Sequence, residues 1–194
     1  GVIRQWDEPD LWTFEADAGV ESGTVFATAF AVDLHDPLTT GKLTWSEWRK
    51  ETERRLVNDH GESIRPIANK FFEFEGRIDS EMVELLERLP PHLPLGLLTN
   101  NHDRFEKHLG RVGLPDRFDV VINTHRIGIA KPDSRAYLTA TTQLGVTPTR
   151  CLFIDDLEVN VAGGEAVGLL CHHFQHREGL VHRLKELGIE LIDR

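Results

Sequence analysis

The chain has 194 residues, room for one sizeable domain or one core with an insertion, and 40% of them are hydrophobic, enough for a packed interior. Acidic residues number 32 against 22 basic ones, and the net charge of -10 disfavours long contact with nucleic acid or an anionic membrane. No apolar run approaches the ~18 residues of a membrane helix, and no basic, apolar leader stands at the start. A small anionic substrate stays open, because a local basic cluster can overcome the net field.

Gly1 to Arg4 is an abrupt beginning, with no strand leading into the glycine. From Asp10 to about Phe74 the spacing is helical, and Leu11, Phe14 and Ala18 make one apolar face. Thr44 predicts the N-cap of a helix to Asn58, with Glu47 as its capping-box partner. That helix carries Trp45, Trp48 and Leu56 among many charges, so it is amphipathic. Gly41 and Gly61 punctuate it, and a further helix is expected over Ser63 to Phe72. No strand is expected in this block, which reads as a small helical bundle.

Beyond Gly76 strands alternate with helices. Asp79 or Ser80 caps a helix to Leu89, ended by Pro90 and Pro91. Leu95 to Leu98 reads as a buried strand, with Thr99-Asn100-Asn101-His102 at its end. A helix over Arg104 to Gly110, continued as far as Gly113, precedes a strand from Asp119 to Asn123. Gly128 to Pro132 is a loop, and a helix covers Ser134 to Leu144. Strands at Arg150 to Ile154 and Gly168 to Phe174 and a helix at Leu180 to Leu187 complete the pattern. Such alternation implies parallel pairing and a doubly wound α/β core. Cys151 and Cys171 fall in the strand-like runs and read as reduced core thiols, which points to a cytoplasmic protein.

The strand ends carry the chemistry. Thr99 and Asn100 end one strand, Lys131 lies just past another, and Asp155 with Asp156 ends a third. Carboxyl ends of parallel strands share one edge of the sheet, where α/β proteins bind ligands. A hydroxyl, an amide, an ammonium and two carboxylates suit a phosphate and a Mg²⁺ ion. The hydroxyl and amide donate to phosphoryl oxygens, the ammonium offsets charge, and hard oxygens hold the metal. Taken singly, each has an ordinary reading: Asp155-Asp156 as a helix cap, Lys131 as a surface lysine.

Three motifs in this order, LLTNN around Thr99, GIAKPD around Lys131 and FIDDLEVN around Asp155, resemble those of the haloacid dehalogenase-like (HAD) superfamily of hydrolases. The resemblance covers essentially the whole chain. It implies a Rossmann-like core over residues 1–9 and 77–194, with an inserted helical C1 cap over residues 10–76. It further implies that Thr99 and Asn100 bind the transferred group, that Lys131 steadies it and the nucleophile, and that Asp155 ligates Mg²⁺. Asp156 then supports the metal or pairs with Lys131. The family's first motif, Asp-x-Asp, stands directly before a Gly-Val-like dipeptide, and GVIRQWD resembles the remainder of that motif. Without the two aspartates no nucleophile is assignable, and the 194 residues alone are expected to be inactive.

In the intact protein the resemblance implies a phosphatase of a small phosphorylated metabolite, working through an aspartyl-phosphate. A metal-free dehalogenase is the alternative within the family, and the acidic pair argues against it. A binding or regulatory module that keeps the fold without turnover is the alternative outside enzymes. Side features are read conservatively. His172, His173 and His176 are expected as exposed histidines, and Trp6 and Trp12 as packing residues. His102 is expected as a solvated loop residue with some prospect of reaching substrate. Asn160 either buttresses the metal loop or sits on an exposed helix face. Gly163-Gly164, which costs a helix roughly 1 kcal/mol per glycine, is expected as drift rather than close packing.

Overall fold

The computed structural model describes residues 1–6, 15–16, 19–111 and 118–193. The expected Leu11, Phe14 and Ala18 face, Trp12, and the end of a helix at Gly113 lie outside them.

The first part is helical, as its spacing predicts: α1 (Thr24–Ala29), α2 (Val32–Thr39), α3 (Trp45–His60) and α4 (Arg65–Glu73), with a 3-10 turn at Glu62–Ile64 before α4. Thr44 and Glu47 form the full capping box at the start of α3. These helices close around Leu34, Trp48, Leu56, Ile64, Phe71 and Phe72. Trp48 satisfies its buried indole by donating to Ala29 O at 2.8 Å. α1 has no side-chain cap of its own, and the buried Glu15 carboxylate supplies one, accepting from Gly23 N at 2.6 Å and Val25 N at 2.8 Å.

Two short strands, β1 (Arg4–Gln5) and β2 (Arg77–Ile78), pair antiparallel beside this block. The α/β part then runs α5 (Ser80–Glu87), β3 (Gly96–Thr99), α6 (Phe105–Arg111), β4 (Val120–Asn123), α7 (Thr124–Ile127) and α8 (Ser134–Leu144). It ends with β5 (Leu152–Asp155), α9 (Glu158–Glu165), β6 (Leu170–His173) and α10 (Arg177–Glu186). Asp79 caps α5 by accepting from Glu81 N and Met82 N. The last helix starts earlier than its apolar spacing suggests, because the His176 ring accepts from Gly179 N as an N-cap. None of the described helices is long and apolar enough to cross a membrane.

Both α/β pairs are parallel, β3 with β4 and β5 with β6, as the alternation predicts. They are separate two-stranded sheets rather than one continuous sheet. Strand alternation shows what lies between them. Leu95 O accepts from Asp119 N and Val120 N, so every second residue of β3 faces β4, and Gly96 and Leu98 turn the other way. Cys151 O accepts from Leu170 N and Asp155 O from Phe174 N, so Leu152 and Ile154 turn away from β6. Two parallel edges are therefore left without strand partners among the described residues. A cavity of about 1520 Å³ is lined by both of them and floored by Met82 and Leu85 of α5 and Leu180 and Leu184 of α10. β3 and most of β5 are correspondingly half-buried, against the expectation of fully buried strands, because the neighbour that would cover them is not among these residues.

Gly163 and Gly164 correct another expectation. A Cβ at Gly163 would stand 2.7 Å from the Tyr137 hydroxyl and 2.8 Å from Pro132 O, and one at Gly164 would stand 3.0 Å from Cys171 Sγ. The pair lets α9 press against α8, the Lys131 loop and β6, so close packing and not drift explains it.

Candidate active site

The polar ends of β3 and β5 meet through one ammonium. Lys131 Nζ donates to Leu98 O at 3.1 Å and to Asp155 Oδ2 at 2.6 Å. Leu98 O belongs to the unpartnered edge of β3, so the lysine bridges the two half-sheets across the mouth of the cavity. Both side chains are nearly closed to solvent, at 8% and 6%. A buried pair of this kind depends on having its remaining valences filled. Asp155 does: Oδ1 accepts from Leu157 N at 2.9 Å and from Asn160 Nδ2 at 2.9 Å. Asn160 is thus a buried support of the acidic loop, the first of its two sequence readings.

Asn100 clamps the same lysine by its backbone. Its Nδ2 donates to Lys131 O at 2.9 Å and its Oδ1 accepts from Lys131 N at 2.9 Å. The amide expected to face a phosphoryl group is therefore spent on holding the Lys131 loop, with one N–H to spare. Asn101, which the sequence did not single out, is buried and donates to Thr99 Oγ1 at 3.3 Å. Since that oxygen accepts from Asn101, its own proton is free to point into the cavity.

The two aspartates divide their work in a way the sequence left open. Lys131 pairs with Asp155 and not with Asp156. The Asp156 carboxylate is 38% exposed, and its Oδ2 lies 2.9 Å from Gly1 N at the rim of the cavity. A magnesium ion fits this donor set in part. Asp156 offers a hard, accessible oxygen, whereas Asp155 has protein donors on both oxygens. No group of three or more His, Cys, Asp or Glu side chains among the described residues could hold an ion without help from substrate or water.

His102 lies deeper than a solvated loop residue. Burial first, and then the neighbouring His108, hold its pKa down at about 4, so the ring is neutral. Its Nδ1 accepts from Arg104 N at 3.2 Å, which leaves the proton on Nε2. Burial also raises the Tyr137 hydroxyl, which donates to Asn160 O at 2.7 Å behind the site. The three late histidines do not form a centre: His173 Nε2 bonds Asp156 O at 3.1 Å, His176 caps α10, and His172 Nε2 is buried without a partner. Trp45 joins the helical block to the core. Its backbone N–H donates to Asp103 Oδ1 at 2.7 Å, and Arg104 lies 3.8 Å over its ring.

Parallel βα units gather a hydroxyl, a caged lysine and an acidic pair on the edge of the sheets where α/β proteins bind ligands. The chain belongs to the haloacid dehalogenase-like hydrolases, whose family model matches residues 10–168. A phosphatase of Mycobacterium tuberculosis is 39% identical over 102 residues, which span 50% of this chain and 47% of that protein. The pyrimidine 5'-nucleotidase YjjG of Escherichia coli is 24% identical over 220 residues, covering 94% of this chain and 98% of its own. Among solved structures, a HAD family enzyme of Bacteroides thetaiotaomicron superposes with a TM-score of 0.72 at 19% identity, over 95% of this chain and 94% of that one. The same enzyme has been solved with magnesium. A dehalogenase crystallised as an intermediate complex superposes with a TM-score of 0.68 at 18% identity, over 87% of this chain and 79% of its own. Both branches of the family share the fold, so the choice between them rests on the site.

Proposed function

We propose that these residues form most of a Mg²⁺-dependent phosphatase acting on a small phosphorylated metabolite, with residues 10–76 as its cap and residues 1–9 and 77–194 as its core. The observation that carries the proposal is the Lys131 ammonium, held between Leu98 O and Asp155 at the mouth of a strand-wide opening. In this reading the opening takes an extended segment from outside the 194 residues, and that segment brings the nucleophilic carboxylate to Lys131. The strand acceptor edges at Gly96, Leu98, Leu152 and Ile154 support it, since a strand parallel to both would satisfy them at once.

Each side chain then has a task. The Thr99 hydroxyl donates to a phosphoryl oxygen, its lone pair being engaged by Asn101. Lys131 neutralises charge on the phosphoryl group and the attacking carboxylate, and Asn100 holds the lysine in place. Asp155 holds that lysine aimed at the cavity mouth. Asp156 is the stronger candidate for a metal oxygen, with Asp155 behind it. Bound Mg²⁺ would screen the approach of an anionic nucleophile to an anionic ester. An accessible acid next to an occupied one is superfluous for displacing halide from an uncharged carbon, which favours phosphate over dehalogenation. Two free cysteines suit a reducing, cytoplasmic setting.

The test compares the 194 residues with the same polypeptide extended ahead of Gly1 by the residues its coding sequence supplies. Phosphate release from a panel of monoesters is measured with Mg²⁺ and with chelator. The reading expects Mg²⁺-dependent release from the extended protein, lost in Asp156→Asn, and none from the 194 residues. Turnover by the shorter chain, or none by the longer, contradicts it.

A further inference from the structure

The cavity does not stop at the strand tips. It runs on to the helical block, where its wall is aromatic. Phe26 and Phe30 lie one turn apart on α1 and just past its end, and they stack at 4.3 Å between centroids and 25° between planes. α1 buries Val25 and Ala29, Phe30 packs partly against the same core, and Phe26 is the member of the pair left facing the cavity. Phe26 is 40% exposed, an uncommon fate for a phenylalanine already stacked on a neighbour. Behind the pair stands Phe71, which is buried and meets Phe26 edge-on at 6.5 Å. Trp45 edges the same cavity nearer Thr99 and is braced by Arg104.

The ionisable groups along this wall are quiet. His35 is held neutral by burial, and so is His102. The Arg4 guanidinium lies 4.2 Å over the Trp6 ring and faces Glu75, and Arg104 covers Trp45. Among the described residues, the wall on the side of the helical block therefore offers planar apolar surface and neutral imidazoles, with its Arg4 and Arg104 guanidinium groups laid over indole rings.

We infer that the site takes phosphate monoesters whose leaving group is an uncharged aromatic ring, seated against Phe26 and Phe30 while Thr99 and Lys131 hold the phosphate. This rests on the phosphatase reading and narrows it. Esters of small hydroxy acids would set a carboxylate against aromatic carbon and neutral imidazole, and lose the desolvation gain an aromatic ring makes there.

Binding tests it on the 194 residues without turnover. The probes are phenyl phosphate, glycerol phosphate and inorganic phosphate, read by the intrinsic fluorescence of the cavity tryptophans, Trp6, Trp45 and Trp48. Phenyl phosphate is expected to bind about ten-fold more tightly than glycerol phosphate, a gap of ~1.4 kcal/mol. Phe26→Ala, at a half-exposed position the core does not need, should shrink that gap to about three-fold or less, and Phe26→Leu should fall between. Inorganic phosphate should displace both esters. Equal affinities with displacement, or a gap that survives Phe26→Ala, overturn the aromatic assignment alone. Phenyl phosphate binding that inorganic phosphate cannot displace overturns it together with the phosphate site.

Discussion

Residues 24–73 close around one aromatic core with Phe71, Phe72 and Trp48 under 9% exposed, whereas residues 77–193 divide their strands between two sheets that face each other across a cavity. The helical block satisfies itself locally: a capping box, a carboxylate over the first turn of α1, an indole on a backbone carbonyl. The α/β part is held at the cavity mouth by one ammonium instead of a ladder of hydrogen bonds. The difference teaches where function sits. The self-sufficient region supplies shape and an aromatic wall, and the unfinished one gathers the charged groups.

The sharpest way to break that contrast is at the bridge. Lys131→Ala leaves Asp155 buried beside no cation, and should cost about 3–5 kcal/mol by urea denaturation, with Lys131→Met no better for phosphate binding. If the loss were under about 1 kcal/mol, the two half-sheets would not depend on this pair. Gly163→Ala is next: a methyl 2.7 Å from the Tyr137 hydroxyl should cost about 1–3 kcal/mol and disturb the Lys131 loop.

Acid should weaken the fold through its buried neutral histidines, His102 at the site and His35 in the helical block. His102 titrates at about 4 when folded against 6.5 ordinarily, so the unfolded chain binds the extra proton first. Stability from this group is whole above pH 6.5 and declines as pH falls toward 4, by roughly 1–2 kcal/mol between pH 7 and 5. The His102→Gln variant should flatten that part of the profile in thermal melts across this range. An unchanged slope would mean that the ring is not held neutral. Smallest is Thr44→Ala, which removes the α3 cap and should cost ~1 kcal/mol without touching phosphate binding.

Legibility in the sequence divides along the same line. Thr44 with Glu47, and Asp79 before α5, are local signals, and both caps form. That Thr99 and Asp155 end strands on one edge was legible from the parallel alternation, whereas Lys131 stands not at a strand end but in the loop beyond α7, and Asn100 holds that loop against the edge. Which aspartate faces the lysine was not legible, because adjacent residues at a strand end point to opposite sides and only the fold says which side holds Lys131. Asn101 escaped notice as one more polar loop residue, although it sits two positions after Thr99. Gly163 and Gly164 looked like poor helix formers, since the Tyr137 hydroxyl and Cys171 that crowd them lie 26 and 7 residues away. Sheet continuity is the most non-local property of all, and the split between β3 and β5 shows only in three dimensions.

Amide hydrogen exchange at Gly96, Leu98, Leu152 and Ile154 tests the central claim most directly. In the 194 residues these amides should exchange rapidly beside protected partners at Leu97 and Phe153, and in the polypeptide extended ahead of Gly1 they should slow by about 100-fold or more. Four amides already protected in the shorter chain, or still open in the longer one, would contradict a site completed by a strand between the half-sheets.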